Sequence, residues 1–157
     1  MMKYLKYLLT LGIYGDFNVA WKLRKVSVLF LPFYKIHLKA HNAYIPKECE
    51  IEGEIFFPHA ISGCFFACYS KIGTGCTIMH HVTIGSNIIG GGKELGAPQI
   101  GNNVFIGAGA KIIGPVKIGN NVKIGAGCVV VDDIPDNAVC VMNKPRIIVK
   151  ANNINKS

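Results

Sequence analysis

Residues 100–135, written in sixes, read IGNNVF IGAGAK IIGPVK IGNNVK IGAGCV VVDDIP. Ile100, Ile106, Ile112, Ile118, Ile124 and Val130 recur at that spacing without a break. Four places after the first five stand Val104, Ala110, Val116, Val122 and Cys128, each small or β-branched. A period of six belongs neither to an α-helix nor to a long strand, whose side chains repeat every 3.6 and 2.0 residues. It belongs to a parallel β-helix, in which each short strand and turn sends one aliphatic and one small side chain inward. Upstream, Ile72, Ile78 and Ile84 continue the period, with Cys76 and Val82 at the fourth place. Ile45, Ile51 and Phe57 carry it further back, with Cys49, Ile55 and Ile61. The expected fold is therefore all-β.

Two breaks interrupt the repeat. Nine residues separate Phe57 from Phe66, so a bulge is expected just after His59. Sixteen separate Ile84 from Ile100, and the glycine-rich residues 86–99 must leave the coil as a loop. Glycine-rich excursions from a rigid scaffold often form sites. The expected organisation is a short basic helical segment at 1–41, a coil domain at 42–150 with its excursion at 86–99, and a tail at 151–157.

Half of the 157 residues are hydrophobic and 17% are charged, which excludes a disordered chain and suits one domain. The net charge is +8, and residues 1–41 hold seven Lys or Arg against one acid, Asp16. The opening apolar run is short, lacks a small-residue cleavage site, and falls well below the ~20 residues that span a bilayer. One or two short helices packed on the coil are expected there, with contact to an anionic membrane surface as the minority reading. No aromatic-rich motif accompanies the basic residues, so nucleic acid is not an expected partner. Six cysteines lack any C-x-x-C pair. Cys49, Cys76, Cys128 and Cys140 are expected at the small inward position, as reduced structural thiols of a cytoplasmic protein.

Side chains stacked on one edge lie three units apart. Counted this way, His41, His59, His80, Ala108, Ala126 and Lys144 form one column. It sets a candidate base beside a narrow channel that ends at a cation, an order that suits a thioester of coenzyme A. For a lone histidine the ordinary role is a satisfied corner residue. The bulge, the loop and the column argue for chemistry at His59.

The segments PHAISGCFFACYSKIGTGCTIMHHVTIGS and APQIGNNVFIGAGAKIIGPVKIGNNVKIGAGCVVVDDIP resemble the serine acetyltransferase branch of the hexapeptide-repeat acyltransferases. That branch includes short relatives acting on capsular and lipid-linked polysaccharides. The resemblance covers about residues 42–150 and implies a left-handed parallel β-helix, a homotrimer with sites between subunits, and acetyl-CoA as donor. It makes the histidine matching His59 the general base, places Ala108 and Ala126 along the coenzyme A channel, and sets Arg146 near the cofactor's end.

The sequence also departs from serine acetyltransferases. Their loop carries an Arg-His pair that helps hold the amino acid, where this chain has Gly96-Ala97 before Pro98. Pro58 precedes the histidine where those enzymes have Asp, and the acid that orients the base falls at Tyr44. The expected activity is O-acetylation of a saccharide hydroxyl by direct transfer, with His80 assisting. Serine O-acetylation is the alternative. A zinc enzyme of the carbonic anhydrase type would have His59 and His80 but no evident third ligand, and no metal is expected. A non-catalytic scaffold is the remaining reading.

Overall fold

The computed structural model of the protein describes residues 16–87 and 96–148. Helix α1 spans Phe17–Val26, a single 3-10 turn covers Val28–Phe30, and α2 spans Leu31–Ala40. Asp16 caps α1 by accepting a 2.8 Å hydrogen bond from the Asn18 amide. Pro32 sits in the first turn of α2, where a missing N–H costs nothing. The N-terminal residues 1–15, the centre of the expected loop at 88–95 and the tail from 149 lie outside the described residues.

The rest is a three-faced parallel coil. Strands are numbered in chain order. On the first face β1 (Glu50–Ile51), β4 (Lys71–Ile72), β7 (Gln99–Ile100) and β10 (Lys117–Ile118) lie side by side. On the second are β5 (Thr77–Ile78), β8 (Phe105–Ile106), β11 (Lys123–Ile124) and β13 (Val139–Cys140). The third holds β3 (Phe65–Phe66), β6 (Thr83–Gly85), β9 (Lys111–Ile113) and β12 (Val129–Val130). β2 (Pro58–Ile61) joins none of these ladders and forms the bulge. All ladder pairs are parallel, as a coil that visits each face once per turn requires.

Most strands are only two residues long, and the second residue points inward. Ile72, Ile78, Ile84, Ile106, Ile112 and Ile124 are fully buried in one continuous stack. The small positions between strands fill the remaining space with Cys64, Cys76, Val82, Val104, Ala110, Val122 and Cys128.

At the corner between the first and second faces, a ladder of side-chain amides runs from coil to coil. Asn103, Asn121 and Asn137 take left-handed turns with φ of 55°, 57° and 60°, which asparagine tolerates better than most residues. Asn121 donates to the Asn137 side-chain oxygen at 3.0 Å, and Asn103 donates to Asn121 at 3.4 Å. Asn102 and Asn120 accept from the Thr74 and Asn102 amides of the preceding coils, each at 2.9 Å. The repeated I-G-N-N units thus tie successive coils together.

The register corrects three expectations. Regular coils advance 18 residues, as from Gln99 to Lys117, but the last advances only 16, from Lys123 to Val139. Lys144 therefore does not extend the column below Ala126; the shortened turn brings Met142 against Gly127 instead. The Asp133 and Asp136 carboxylates accept from the Lys117 and Asn120 amides, both at 2.7 Å, and hold this tight return. The same deficit moves Cys140 from the small position to that of Ile124, where it is half-buried. At the other end His41 closes α2 rather than occupying a coil.

The helices cover the N-terminal end of the coil. Phe17, Val19, Ala20, Trp21, Tyr34 and Leu38 are buried and continuous with the coil core. The Tyr34 hydroxyl donates to the Ile45 carbonyl at 2.7 Å. The Asn18 side chain exchanges two hydrogen bonds with the backbone of Ile55, at 2.8 and 3.1 Å. A cap of this kind shields an apolar core that has no further coil to stack on.

Candidate active site

The corner between the second and third faces holds the candidate residues. Here the chain turns between β5 and β6, β8 and β9, and β11 and β12, while the bulge fills the same place in the first coil. Backbone bonds link the turns. The Gly127 amide donates to the Ala108 carbonyl at 2.8 Å, Gly109 to His80 at 3.0 Å, and His81 to Ser62 at 2.8 Å. His80, Ala108 and Ala126 therefore stack in one column.

His59 joins them through the bulge. Counting forward from Phe56, which bridges Thr77, His59 stands level with His80. Counting back from Phe65, which pairs with Thr83, Ser62 occupies that level. Both descriptions hold, because three extra residues lie between the two reference points. The insertion pushes His59 outward while the chain returns to register at Ile61 and Cys64, both buried. Ala60, next to the histidine, takes φ of 54°, a left-handed backbone that is costly for alanine. The Ser62 hydroxyl donates to the His59 carbonyl at 3.2 Å and steadies the turn.

The His59 ring is exposed and meets the His80 ring edge-on at 5.2 Å between centroids. No hydrogen bond reaches the His59 ring from any described residue. Tyr44 bridges Phe65 on the third face, and its hydroxyl makes no hydrogen bond to the histidine. His80 is half-buried, and its Nδ1 is buried without a partner among the described residues. An unmet buried nitrogen typically costs about 1–3 kcal/mol.

His81 stays closer than alternation along a strand would have it. With φ of 58° it takes the left-handed turn that Gly63, Gly109 and Gly127 take in the other coils. Its ring lies over Gly63, where a Cβ would collide with it, and 5.4 Å from the His80 ring. Ser62 and His81 are the corner residues that reading by period left out. The nine-residue gap was the available signal for Ser62. Among the described residues no group of three or more metal-ligating side chains is arranged to hold a metal.

Cys49 and Cys64 are buried thiols. All six cysteines are unpaired. Burial pushes the Cys64 thiol up, and its sulfur donates to the Met79 carbonyl at 3.4 Å. Burial likewise pushes Cys49 up to about 12. Neither forms a thiolate nucleophile at neutral pH.

Exposed aromatic residues flank the histidine corner on both sides. Phe56 and Phe105 point out from the second face, Tyr44 and Phe65 from the third. The first face instead shows polar residues, including the Lys71–Glu50 ion pair at 3.1 Å. The loop leaves at a different corner, between the third and first faces. Its neck is closed by an antiparallel bridge from Asn87 to Gly96, with the Asn87 amide donating to Gly96 at 3.0 Å. Lys144 and Arg146 are exposed on a segment without regular structure and have no ion-pair partner among the described residues.

Residues 97–132 match the bacterial transferase hexapeptide (six repeats) family. The chain carries the hexapeptide repeat of that family and resembles its serine-acetyltransferase-like branch. The putative colanic acid biosynthesis acetyltransferase WcaB of Escherichia coli K12 is 47% identical over 75 residues, covering 48% of this chain and 44% of the relative. Entamoeba histolytica serine acetyltransferase isoform 3, solved with cysteine, superposes with a TM-score of 0.69 at 28% identity. That superposition covers 87% of this chain and 49% of the other. Soybean serine acetyltransferase gives a TM-score of 0.65 at 36% identity, over 84% of this chain and 54% of its own. The coil is the left-handed parallel β-helix of this family. The chain spans about half the length of these relatives.

Proposed function

We propose that the protein is an acetyl-CoA-dependent O-acetyltransferase acting on a hydroxyl of a saccharide, part of a surface polysaccharide or its precursor, in the cytoplasm. The observation that carries this reading is the corner itself. An exposed imidazole with no hydrogen bond from any described residue stands on a strained bulge, against a second imidazole and in line with two alanines.

In the reaction His59 takes the proton from the acceptor hydroxyl as its oxygen attacks the thioester carbonyl. The C–S bond then breaks, and the thiolate of coenzyme A leaves and is protonated by the imidazolium. Help of this kind contributes on the order of 10²–10⁴-fold. His80 positions the acceptor beside His59, where the two rings meet. Transfer is direct, because the nearby Cys64 is buried and the Ser62 hydroxyl donates to a carbonyl rather than to an imidazole.

A saccharide is preferred to serine because Gly96-Ala97 stands where serine acetyltransferases carry the Arg-His pair that helps hold the amino acid. At the loop neck Gly96 packs on Pro115 and is followed by Ala97 and the buried Pro98. The relative named for colanic acid biosynthesis also supports a saccharide acceptor. A homotrimer is proposed on two grounds: the histidine corner is flanked by exposed aromatic side chains, and the loop neck stands at another corner, so that a second copy would bring the two together.

The deciding experiment supplies labelled acetyl-CoA and compares a saccharide panel with serine. Base-labile label in a saccharide is the expected result. Label accumulating as O-acetylserine would establish the serine reading, and absence of coenzyme A binding the scaffold reading.

Two further outcomes test the donor side. Ala108→Leu and Ala126→Leu add volume on the outer edge of the coil, where the half-buried Ala108 and exposed Ala126 line the proposed path of the pantetheine arm. Each should raise the Michaelis constant for acetyl-CoA without lowering the melting temperature. Aggregation of both variants would make these alanines packing residues instead. Replacing Lys144 and Arg146 together with alanine should weaken coenzyme A binding, and dephospho-coenzyme A should lose less than coenzyme A. Added salt should weaken the original protein more than the double variant, since exposed charges are screened over ~8–10 Å. Equal affinities at low salt would leave the two cations with no part in binding.

A further inference from the structure

The helical cap ends in an apolar tip that no described residue covers. Val26, Val28 and Leu29, at the turn between α1 and α2, are 75%, 78% and 73% exposed. The turn is preformed, since the Ser27 hydroxyl accepts from the Leu29 amide at 3.3 Å. The segment that carries it bears charge of one sign. Residues 17–47 contain six Lys or Arg and no acid. Four of these cations are engaged within the chain: Lys22 pairs with Glu54 at 2.7 Å and Lys47 with Glu48 at 3.8 Å, while the Arg24 guanidinium lies 3.4 Å and the Lys25 ammonium 5.5 Å from the Trp21 ring centre. Lys25, Lys35 and Lys39 are exposed and have no ion-pair partner among the described residues. Lys35 and Lys39 lie one helical turn apart on the outer face of α2, beside the exposed Ile36.

We propose that this tip docks the protein on an anionic bilayer surface. Val26, Val28 and Leu29 enter the headgroup boundary while Lys25, Lys35 and Lys39 meet the lipid phosphates. Aliphatic side chains ringed by lysine are the pattern that gains from both acyl burial and surface charge. A second copy of the chain fits less well, because pairing two such tips would bring like charges together. No helix among the described residues is long and apolar enough to cross a membrane, and the docking proposed is peripheral. The His41 carbonyl at the end of α2 accepts from the Gly63 amide at 2.9 Å, so the cap and the histidine corner occupy the same end of the coil. The proposal goes beyond the transfer chemistry and does not depend on it.

The test is cosedimentation of the full chain with vesicles, either of phosphatidylcholine alone or of equal parts phosphatidylcholine and phosphatidylglycerol. Binding is expected only to the anionic vesicles and should fall with added salt. The double variant Val28→Asp/Leu29→Asp should lose at least about tenfold in binding. Lys25→Ala/Lys35→Ala/Lys39→Ala should lose ~10²-fold, about fivefold per cation. Both should keep the melting temperature and the acetyl-CoA affinity of the original, which separates lost docking from lost folding or a lost donor site. Val129→Asp, on an exposed position of the far end of the coil, should bind vesicles normally and serves as the control. Equal binding to neutral vesicles, undiminished binding by the tip variants, or a tip variant that instead changes the oligomeric state would each overturn the proposal.

Discussion

His59→Ala is expected to keep its coil, its oligomeric state and its affinity for coenzyme A while losing about 10²-fold or more of turnover. The side chain touches little that holds the fold. It is exposed, it lies outside the ladders, and its one ring contact is with His80. Removing it leaves no cavity in the core and no buried group newly unsatisfied, so a loss of turnover reports chemistry. A 10²-fold loss corresponds to about 2.7 kcal/mol of transition-state stabilisation. His80→Ala is expected to act differently. Its half-buried ring backs that of His59, so its removal should raise the Michaelis constant for the acceptor more than it lowers turnover. Near-normal turnover in His59→Ala, with a collapse in His80→Ala, would transfer the role of base to His80.

The two histidines also show what can be read from a repeat and what cannot. Inward positions were legible because each must be filled in every coil, and the period displays that demand directly. Ile78, Ile106 and Ile124 fall where the spacing of six puts them. Offsets set by turns were not legible. The last coil is short because two carboxylates, Asp133 and Asp136, cap backbone amides of the preceding coil, and a count of six cannot register that. Lys144 was placed by such a count, and the register passes to Met142. At the bulge the sequence marked three extra residues, and so a disturbed corner beside His59. It could not say that Ser62 would share the level of His80, or that His81 would take a turn that glycine takes in the neighbouring coils. The aromatic side chains flanking the corner were invisible to the repeat, because outward positions answer to whatever binds there rather than to the fold.

Gly107→Ala is expected to destabilise the protein by about 3 kcal/mol or more, at the upper end of overpacking costs. Gly109→Ala, two residues away, should cost about 1–2 kcal/mol. The two glycines are needed for different reasons. A Cβ on Gly107 would lie 2.5 Å from the Ala126 nitrogen and 2.7 Å from the Gly125 carbonyl carbon, both backbone atoms of the next coil. Backbone cannot swing aside as a side chain can, and the Gly107 amide is itself held by the Ile124 carbonyl at 2.8 Å. Relief therefore requires the two coils to part. Gly109 has open space where its Cβ would be, but its φ of 69° is left-handed, so alanine there suffers only backbone strain. Urea denaturation should resolve the two variants, and Gly109→Asn should recover part of the smaller loss. The site gives a second readout. Ala108 and Ala126 lie on the two coils that Gly107→Ala would force apart, so this variant should also raise the Michaelis constant for acetyl-CoA. Gly109→Ala should leave that constant unchanged. Equal losses of stability in the two alanine variants would mean that turn conformation, and not the close approach of the coils, sets the spacing of the channel.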